Sequence, residues 1–169
     1  MTDRIASNGK TPEETKVMTS ELVLPGMTNL LGNLLGGEMM HRMDIAGAMA
    51  CMRHSGAQVA TLAVDAIEFK HPVRLGEMVG IEAKLVWAGR TSMKVKITAT
   101  AENLATGAVI VTNVARFTFV ALDKDSNKTP VPPLLPQTNE EKEEYMRNEV
   151  AYRSRMPRGR RTGPDEDAE

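Results

Sequence analysis

A chain of 169 residues, 41% hydrophobic and 25% charged, has the length of one domain and is expected to hide roughly 70% of its unfolded surface on folding. Its 21 Lys and Arg against 22 Asp and Glu leave a net charge of -1, which offers no electrostatic footprint for a nucleic-acid backbone. One cysteine, Cys51, excludes an internal disulfide framework; no apolar run approaches the ~20 residues of a membrane helix, and the polar N-terminus carries no signal-peptide pattern, so a cytoplasmic protein with no membrane partner is expected.

Residues 1–14 are polar, contain Gly9 and Pro12, and read as a flexible arm. Val17 to Leu24 reads as a first strand, followed by a loop rich in Gly and Asn from Pro25 to Gly37. From Gly37 to about Ser55, the apolar positions Met39/Met40, Met43, Ala46/Gly47 and Ala50/Cys51 recur in steps of three and four, which predicts an amphipathic helix of about five turns. After Gly56 the period drops to two, and Val59 to Phe69 is predicted as a strand. Val79, Ile81, Ala83, Leu85 and Trp87 alternate with Gly80, Glu82 and Lys84. Met93, Val95, Ile97 and Ala99 alternate with Lys94, Lys96, Thr98 and Thr100. Both patterns predict strands with one buried and one wet face. Gly89 and Thr106-Gly107 sit where hairpin turns are needed. The last strand, Ala108 to Leu122, is apolar on both faces for much of its length, as in a central or doubly covered strand.

Pro130, Pro132, Pro133 and Pro136 then end the domain. Residues 136–169 form an extension with a charged, helix-prone stretch at 139–155, where Glu141 and Glu144 are set to meet Tyr145, Arg147 and Asn148 one turn on. That stretch lacks core periodicity, and 157–169 is expected to be disordered. Strand, long helix, then four strands is an α+β layer. One helix covers a five-stranded sheet only in part, so the uncovered apolar surface predicts a homo-oligomer built about a two-fold axis.

The densest chemistry lies in Asn29-Leu30-Leu31-Gly32-Asn33-Leu34-Leu35-Gly36-Gly37, with Asp44 seven residues beyond. Gly36 and Gly37 let a ligand approach the backbone where a helix begins and its first N–H groups lack partners. A carbonyl oxygen there would meet those donors and the positive end of the dipole. Asp44 is a poor helix-interior residue among Met43, Ile45 and Ala46, and can act as general base or nucleophile. Paired glycines also make a plain lead-in loop, and a helical Asp also suits a solvated face. His41 lies one turn before Asp44; His54 and His71 are isolated, and three scattered histidines make no metal ligand set. Cys51 falls on the apolar stripe as small core filler. A turn at Ala88-Gly89-Arg90-Thr91-Ser92 can hold a phosphate or an amide, and Lys70 and Arg74 in the loop Phe69 to Glu77 are available to anions.

Taken together, Pro25…Asn29-x-x-Gly32-x-x-x-Gly36-Gly37, Met43-Asp44, Phe69-x-x-Pro72-Val73-Arg74-x-Gly76, Gly89-Arg90-Thr91-Ser92 and Phe117-x-Phe119-Val120-Ala121-Leu122-Asp123 resemble the hotdog-fold acyl-CoA thioesterases. The nearest branch is the bacterial short/medium-chain acyl-CoA hydrolases, related to the brain-type cytosolic acyl-CoA hydrolase. The resemblance covers about residues 15–135. It implies a long helix wrapped by a five-stranded antiparallel sheet, paired into homodimers and commonly trimers of dimers. It implies hydrolysis of acyl-CoA to free acid and coenzyme A, with no cofactor beyond coenzyme A as product. By resemblance Asp44 activates water or attacks the thioester carbon, Asn29 positions water or carbonyl, and the N–H of Gly37 or its neighbour binds the oxyanion. Gly36, Arg90, Thr91 and Ser92 would line the coenzyme A groove, and Arg74 or Lys70 would meet its phosphates. Seven helical residues span about 10 Å, so Gly37 and Asp44 of one helix can hardly share one thioester carbon, and each site is expected to combine two subunits. The alternatives are a hotdog dehydratase or hydratase using His41, and a non-catalytic acyl-CoA sensor. Leu30, Leu31, Leu34 and Leu35 make the loop more apolar than in relatives, and Met39, Met40 and His41 also depart from the common pattern.

Overall fold

A computed structural model describes residues 9–65 and 67–155. The elements run α1 Pro12–Thr15, β1 Val17–Leu22, α2 Gly36–Ser55, β2 Gln58–Val64, β3 Met78–Ala88, β4 Ser92–Asn103, β5 Ala108–Leu122 and α3 Asn139–Arg155. The five strands form one antiparallel sheet in the order β1-β3-β4-β5-β2. α2 lies against its inner face. The stripe of Met39, Met43, Ala46, Gly47, Ala50 and Cys51 packs on Val79, Ile81, Leu85, Val95, Ile97, Phe117 and Phe119 in one core. At Gly47 the helix backbone lies close against the sheet: a Cβ there would stand 2.9 Å from the Phe119 ring and 3.0 Å from Ile97. Gly56, at φ 68°, ends the helix in the left-handed conformation. The α+β architecture is the expected one, and no described helix is long and apolar enough to cross a membrane.

Strict alternation is interrupted at Val86 in β3, at Leu62 in β2 and at Thr112 in β5. In β3, Leu85 pairs with Val95 but Trp87 pairs with Lys94, leaving Val86 as the extra residue. Trp87 is thereby moved from the inner face, where its spacing from Leu85 puts it, to the outer face shared with Lys94. In β2, Thr61 pairs with Phe119 and Ala63 with Thr118, leaving Leu62 unpaired. Thr61 is thus on the inner face with Phe119, opposite α2.

Several expected boundaries differ. β2 stops at Val64 rather than Phe69. The chain stays beside β5 through single hydrogen bonds, Asp65 N–H to Arg116 O (2.9 Å) and Lys70 N–H to Thr112 O (3.0 Å), while the Asp65 carboxylate turns to Lys94 (3.0 Å). β5 is not covered throughout: Val109, Ile110 and Val111 are exposed because this end pairs with β4 alone, past the reach of β2. Residues 10–14 of the expected arm are ordered. Thr11 and Glu14 form a capping box on α1, Pro12 is buried, and Lys10 pairs with Leu134. Residues 1–8, and the stretch 157–169 read as disordered, lie outside the described residues.

The helix at 139–155 packs on the outer face of the sheet despite having no apolar stripe. Its inward positions recur at helical spacing but are polar and aromatic. Glu141 meets Lys84 (2.7 Å), Glu144 meets Arg116 (2.6 Å), Glu149 meets Trp87 Nε1 (2.7 Å), and Tyr152 lies on the Trp87 ring. Glu141 and Glu144 therefore reach the sheet, while Glu141 also accepts from the Gln137 N–H (2.8 Å) just before its own helix and Asn148 donates to the Glu144 carbonyl (2.8 Å). Apolar periodicity misses such a helix, because hydrogen bonds and ion pairs hold it.

Candidate active site

The loop before α2 is a compact turn built by Asn29. Its N–H donates to Asn33 O (2.8 Å), its carbonyl accepts from Gly32 N–H (3.0 Å), and its side-chain Oδ1 accepts from Leu31 N–H (2.9 Å) and Asn33 N–H (3.1 Å). Gly32 takes φ 73°, which the turn demands and a β-carbon resists. Oδ1 is thus committed to shaping the loop, and Nδ2 is the group of Asn29 left to face a ligand. The segment after Pro72 braces the turn: Leu34 N–H donates to Val73 O (2.7 Å) and Leu75 N–H to Gly32 O (2.9 Å). Arg74 consequently stands beside Asn33.

α2 opens at Gly36 with no side-chain cap. Its first N–H groups have no partner within the helix. A Cβ on Gly37 would meet nothing within 4 Å, and one on Gly36 would meet only the Phe69 ring, at 3.4 Å. The backbone at this helix start is open to a bound group, with Phe69 as one wall.

Asp44 lies two turns along α2, half-buried, between core Met43 and exposed Ile45. Thr61 of β2 donates its hydroxyl proton to Asp44 Oδ1 at 2.6 Å. That bond fixes the carboxylate and leaves Oδ2 for water or an electrophilic carbon. Sequence reasoning did not single out Thr61. The available signal was a hydroxyl in an otherwise apolar stretch of strand, and its meeting with Asp44 depends on the register of β2 on β5.

Asn29, Gly36, Gly37, Arg74 and Lys70 gather at the N-terminal end of α2, while the Arg90-Thr91-Ser92 turn is at the opposite end of the sheet. Lys70 is bonded to Thr112 and Ser92 is paired with Val120. The strand between Thr112 and Val120 runs roughly 27 Å. One protomer therefore does not bring the two expected coenzyme A-binding groups together. The Arg90 turn is well held: Gly89 N–H donates to Ser92 O (2.8 Å), Ala121 N–H to Thr91 O (2.9 Å) and Val131 N–H to Arg90 O (3.0 Å). Arg90, Lys70 and Arg74 are exposed, and none forms an ion pair among the described residues.

His41 is exposed, and among the described residues it makes no hydrogen bond to Asp44. His54 is buried, with Nε2 bonded to Pro132 O (2.8 Å), far from any catalytic arrangement. Burial pushes the Cys51 thiol well above its ordinary pKa, as suits an inert core thiol. No group of three or more His, Cys, Asp or Glu among the described residues is arranged to hold a metal ion.

A five-stranded antiparallel sheet curled over one long helix is the hotdog fold. Residues 31–108 match the thioesterase superfamily. A Bacillus subtilis protein, YkhA, described as an uncharacterized acyl-CoA thioester hydrolase, is 33% identical over 78% of this chain and 80% of its own. An acyl-CoA hydrolase of Staphylococcus aureus, solved with butyryl coenzyme A, coenzyme A and coenzyme A disulfide, superposes with a TM-score of 0.79 at 29% identity, over 87% of this chain and 91% of that one. A hexameric acyl-CoA thioesterase superposes with a TM-score of 0.80 at 31% identity, over 89% and 100%. The chain belongs to the thioesterase superfamily.

Proposed function

We infer that the protein is an acyl-CoA thioester hydrolase whose working acid is Asp44. The observation that carries this assignment is the Thr61–Asp44 hydrogen bond of 2.6 Å, which orients a carboxylate on the central helix of a thioesterase fold. The S. aureus enzyme has been studied as alanine mutants of an asparagine, an aspartate and a threonine, whose separations in sequence equal those of Asn29, Asp44 and Thr61.

In this mechanism Asp44 Oδ2 takes a proton from water, whose oxygen attacks the thioester carbon; the carbon–sulfur bond breaks, and the thiolate leaves with a proton as coenzyme A. Direct attack by the carboxylate, followed by hydrolysis of the anhydride, gives the same products. Asn29 Nδ2 and the N–H of Gly37 polarise the carbonyl, where preorganised donors act most strongly on developing charge. Since about 10 Å of helix separates Gly37 from Asp44, the two serve one thioester from different subunits. Gly36 and the Arg90-Thr91-Ser92 turn line the coenzyme A groove, with Lys70 and Arg74 available to its phosphates. A partner subunit brings the two ends of the groove together.

A homodimer, assembled further into a trimer of dimers, fits the exposed Leu30, Leu31, Ile45 and Leu62 around this site and the hexameric state of the similar thioesterase. A cytoplasmic location fits a chain whose one cysteine stays a buried thiol. The test is a hydrolysis screen across acyl-CoA lengths with a thiol-detecting reagent, on wild type and Asp44→Ala. Coenzyme A release by wild type and its loss in the variant are expected; equal rates in both would remove Asp44 from the mechanism.

A further inference from the structure

The lone tryptophan, Trp87, connects the C-terminal helix to the Arg90 turn. The bulge at Val86 turns its ring to the outer face, where α3 covers it. Trp87 Nε1–H donates to Glu149 Oε2 (2.7 Å), and the Tyr152 ring lies 4.6 Å away, centroid to centroid. Glu149 is itself held by Arg153 (2.6 Å), and the Tyr145 hydroxyl donates to Ala88 O (3.3 Å). The six-membered ring of the indole lies against Gly89: a Cβ there would stand 2.4 Å from the ring, so only glycine fits. Gly89 in turn closes the turn through its bond to Ser92 O.

We propose that α3 is a positioning element for substrate binding: Glu149 and Tyr152 press Trp87 over Gly89 and so hold the Arg90-Thr91-Ser92 turn in the shape that receives coenzyme A. The proposal rests on the assignment of that turn to the coenzyme A groove. Two features favour positioning over mere covering of the sheet. The grip is polar and directional, with a carboxylate aimed at the indole N–H. It is also applied two residues before Gly89, at the strand end whose geometry the turn inherits. Glu149 stays ionised because the Trp87 and Arg153 hydrogen bonds together outweigh the burial that would raise its pKa. Trp87, Glu149 and Tyr152 do not touch substrate; they act through Gly89.

The test titrates full-length protein with coenzyme A calorimetrically and follows steady-state hydrolysis of a short acyl-CoA. Arg90→Ala reports on the groove itself. A Kd raised roughly tenfold supports the assignment, and an unchanged Kd removes it and the inference with it. Glu149→Ala should raise Kd and KM about fivefold while kcat stays within about twofold, the pattern of lost binding without lost chemistry. Glu149→Gln, whose amide oxygen still accepts the indole N–H, should return both constants towards wild type. A response to Arg90→Ala with none to Glu149→Ala overturns the inference and leaves the groove assignment standing. Should Glu149→Ala not fold, wild-type fluorescence decides: all tryptophan emission comes from Trp87, so saturating coenzyme A should shift it, and an unmoved spectrum counts against the coupling.

Discussion

Thr61 on β2 and Asp44 on α2 are joined by a 2.6 Å hydrogen bond across the inner face of the sheet, where Thr61 pairs with Phe119 of β5. A hydrogen bond to a charged group contributes about 1.5–3 kcal/mol. If it orients the acting carboxylate, Thr61→Ala should lower kcat roughly 10- to 100-fold, with KM little changed. Thr61→Ser keeps the hydroxyl and should recover most of the rate. A Thr61→Ala enzyme with wild-type kcat would show that the bond only ties strand to helix.

Shared sites make a prediction about mixtures. Asn29→Ala and Asp44→Ala should each lower kcat by about 10³ when homogeneous. Subunits of the two variants, exchanged and verified by native mass spectrometry, should regain part of the activity, because a mixed dimer contains one site with both residues intact. No recovery in verified mixed dimers would place Asn29 and Asp44 in the same protomer's site.

His54 predicts how stability varies with acid. Burial lowers its pKa, opposed by the hydrogen bond with Pro132 O, while the Lys10 charge lowers it further. The unfolded chain takes up this proton near pH 6.5, whereas the native ring resists it to lower pH. Below about pH 6.5 the unfolded state therefore binds more protons, and stability falls as pH falls. Urea midpoints measured from pH 7.5 to 5 should drop more steeply for wild type than for His54→Gln, whose amide can still donate to Pro132 O. Parallel profiles would mean that His54 titrates alike folded and unfolded.

Gly47→Ala sets two effects against each other. Alanine favours a helix over glycine by about 1 kcal/mol. The new methyl would stand 2.9 Å from Phe119 and 3.0 Å from Ile97 in a packed core. Overpacking of that kind costs about 1–3 kcal/mol, so a net loss of about 1 kcal/mol and a lower Tm are expected. A raised Tm would mean that α2 can shift away from the sheet at no cost.

Much of the architecture was legible in the chain because it is local. The 3–4 spacing of Met39, Met43, Ala46 and Ala50 specifies α2, and the alternation through Met93–Thr100 specifies β4 with its buried face. Gly36-Gly37 at the start of that helix and Asp44 within it stand out because neither suits an ordinary core helix. Pro72 and Gly76 marked a loop, and the loop braces Asn29 as a neighbour in space.

Tertiary structure decided what depends on register. One extra residue at Val86 sends Trp87 to the other face of the sheet, and the pairing of Thr61 with Phe119 sets it opposite Asp44; a period-two pattern announces neither the bulge nor the partner. The docking of α3 was hidden because its inward face is Glu141, Glu144, Glu149 and Tyr152, residues that read as solvated until a sheet supplies Lys84, Arg116 and Trp87. The separation of Arg90 from Arg74 within one protomer likewise follows from strand pairing. Hydrophobic spacing reports what a segment buries, whereas the partner it meets is set by long-range pairing that no short stretch of chain contains.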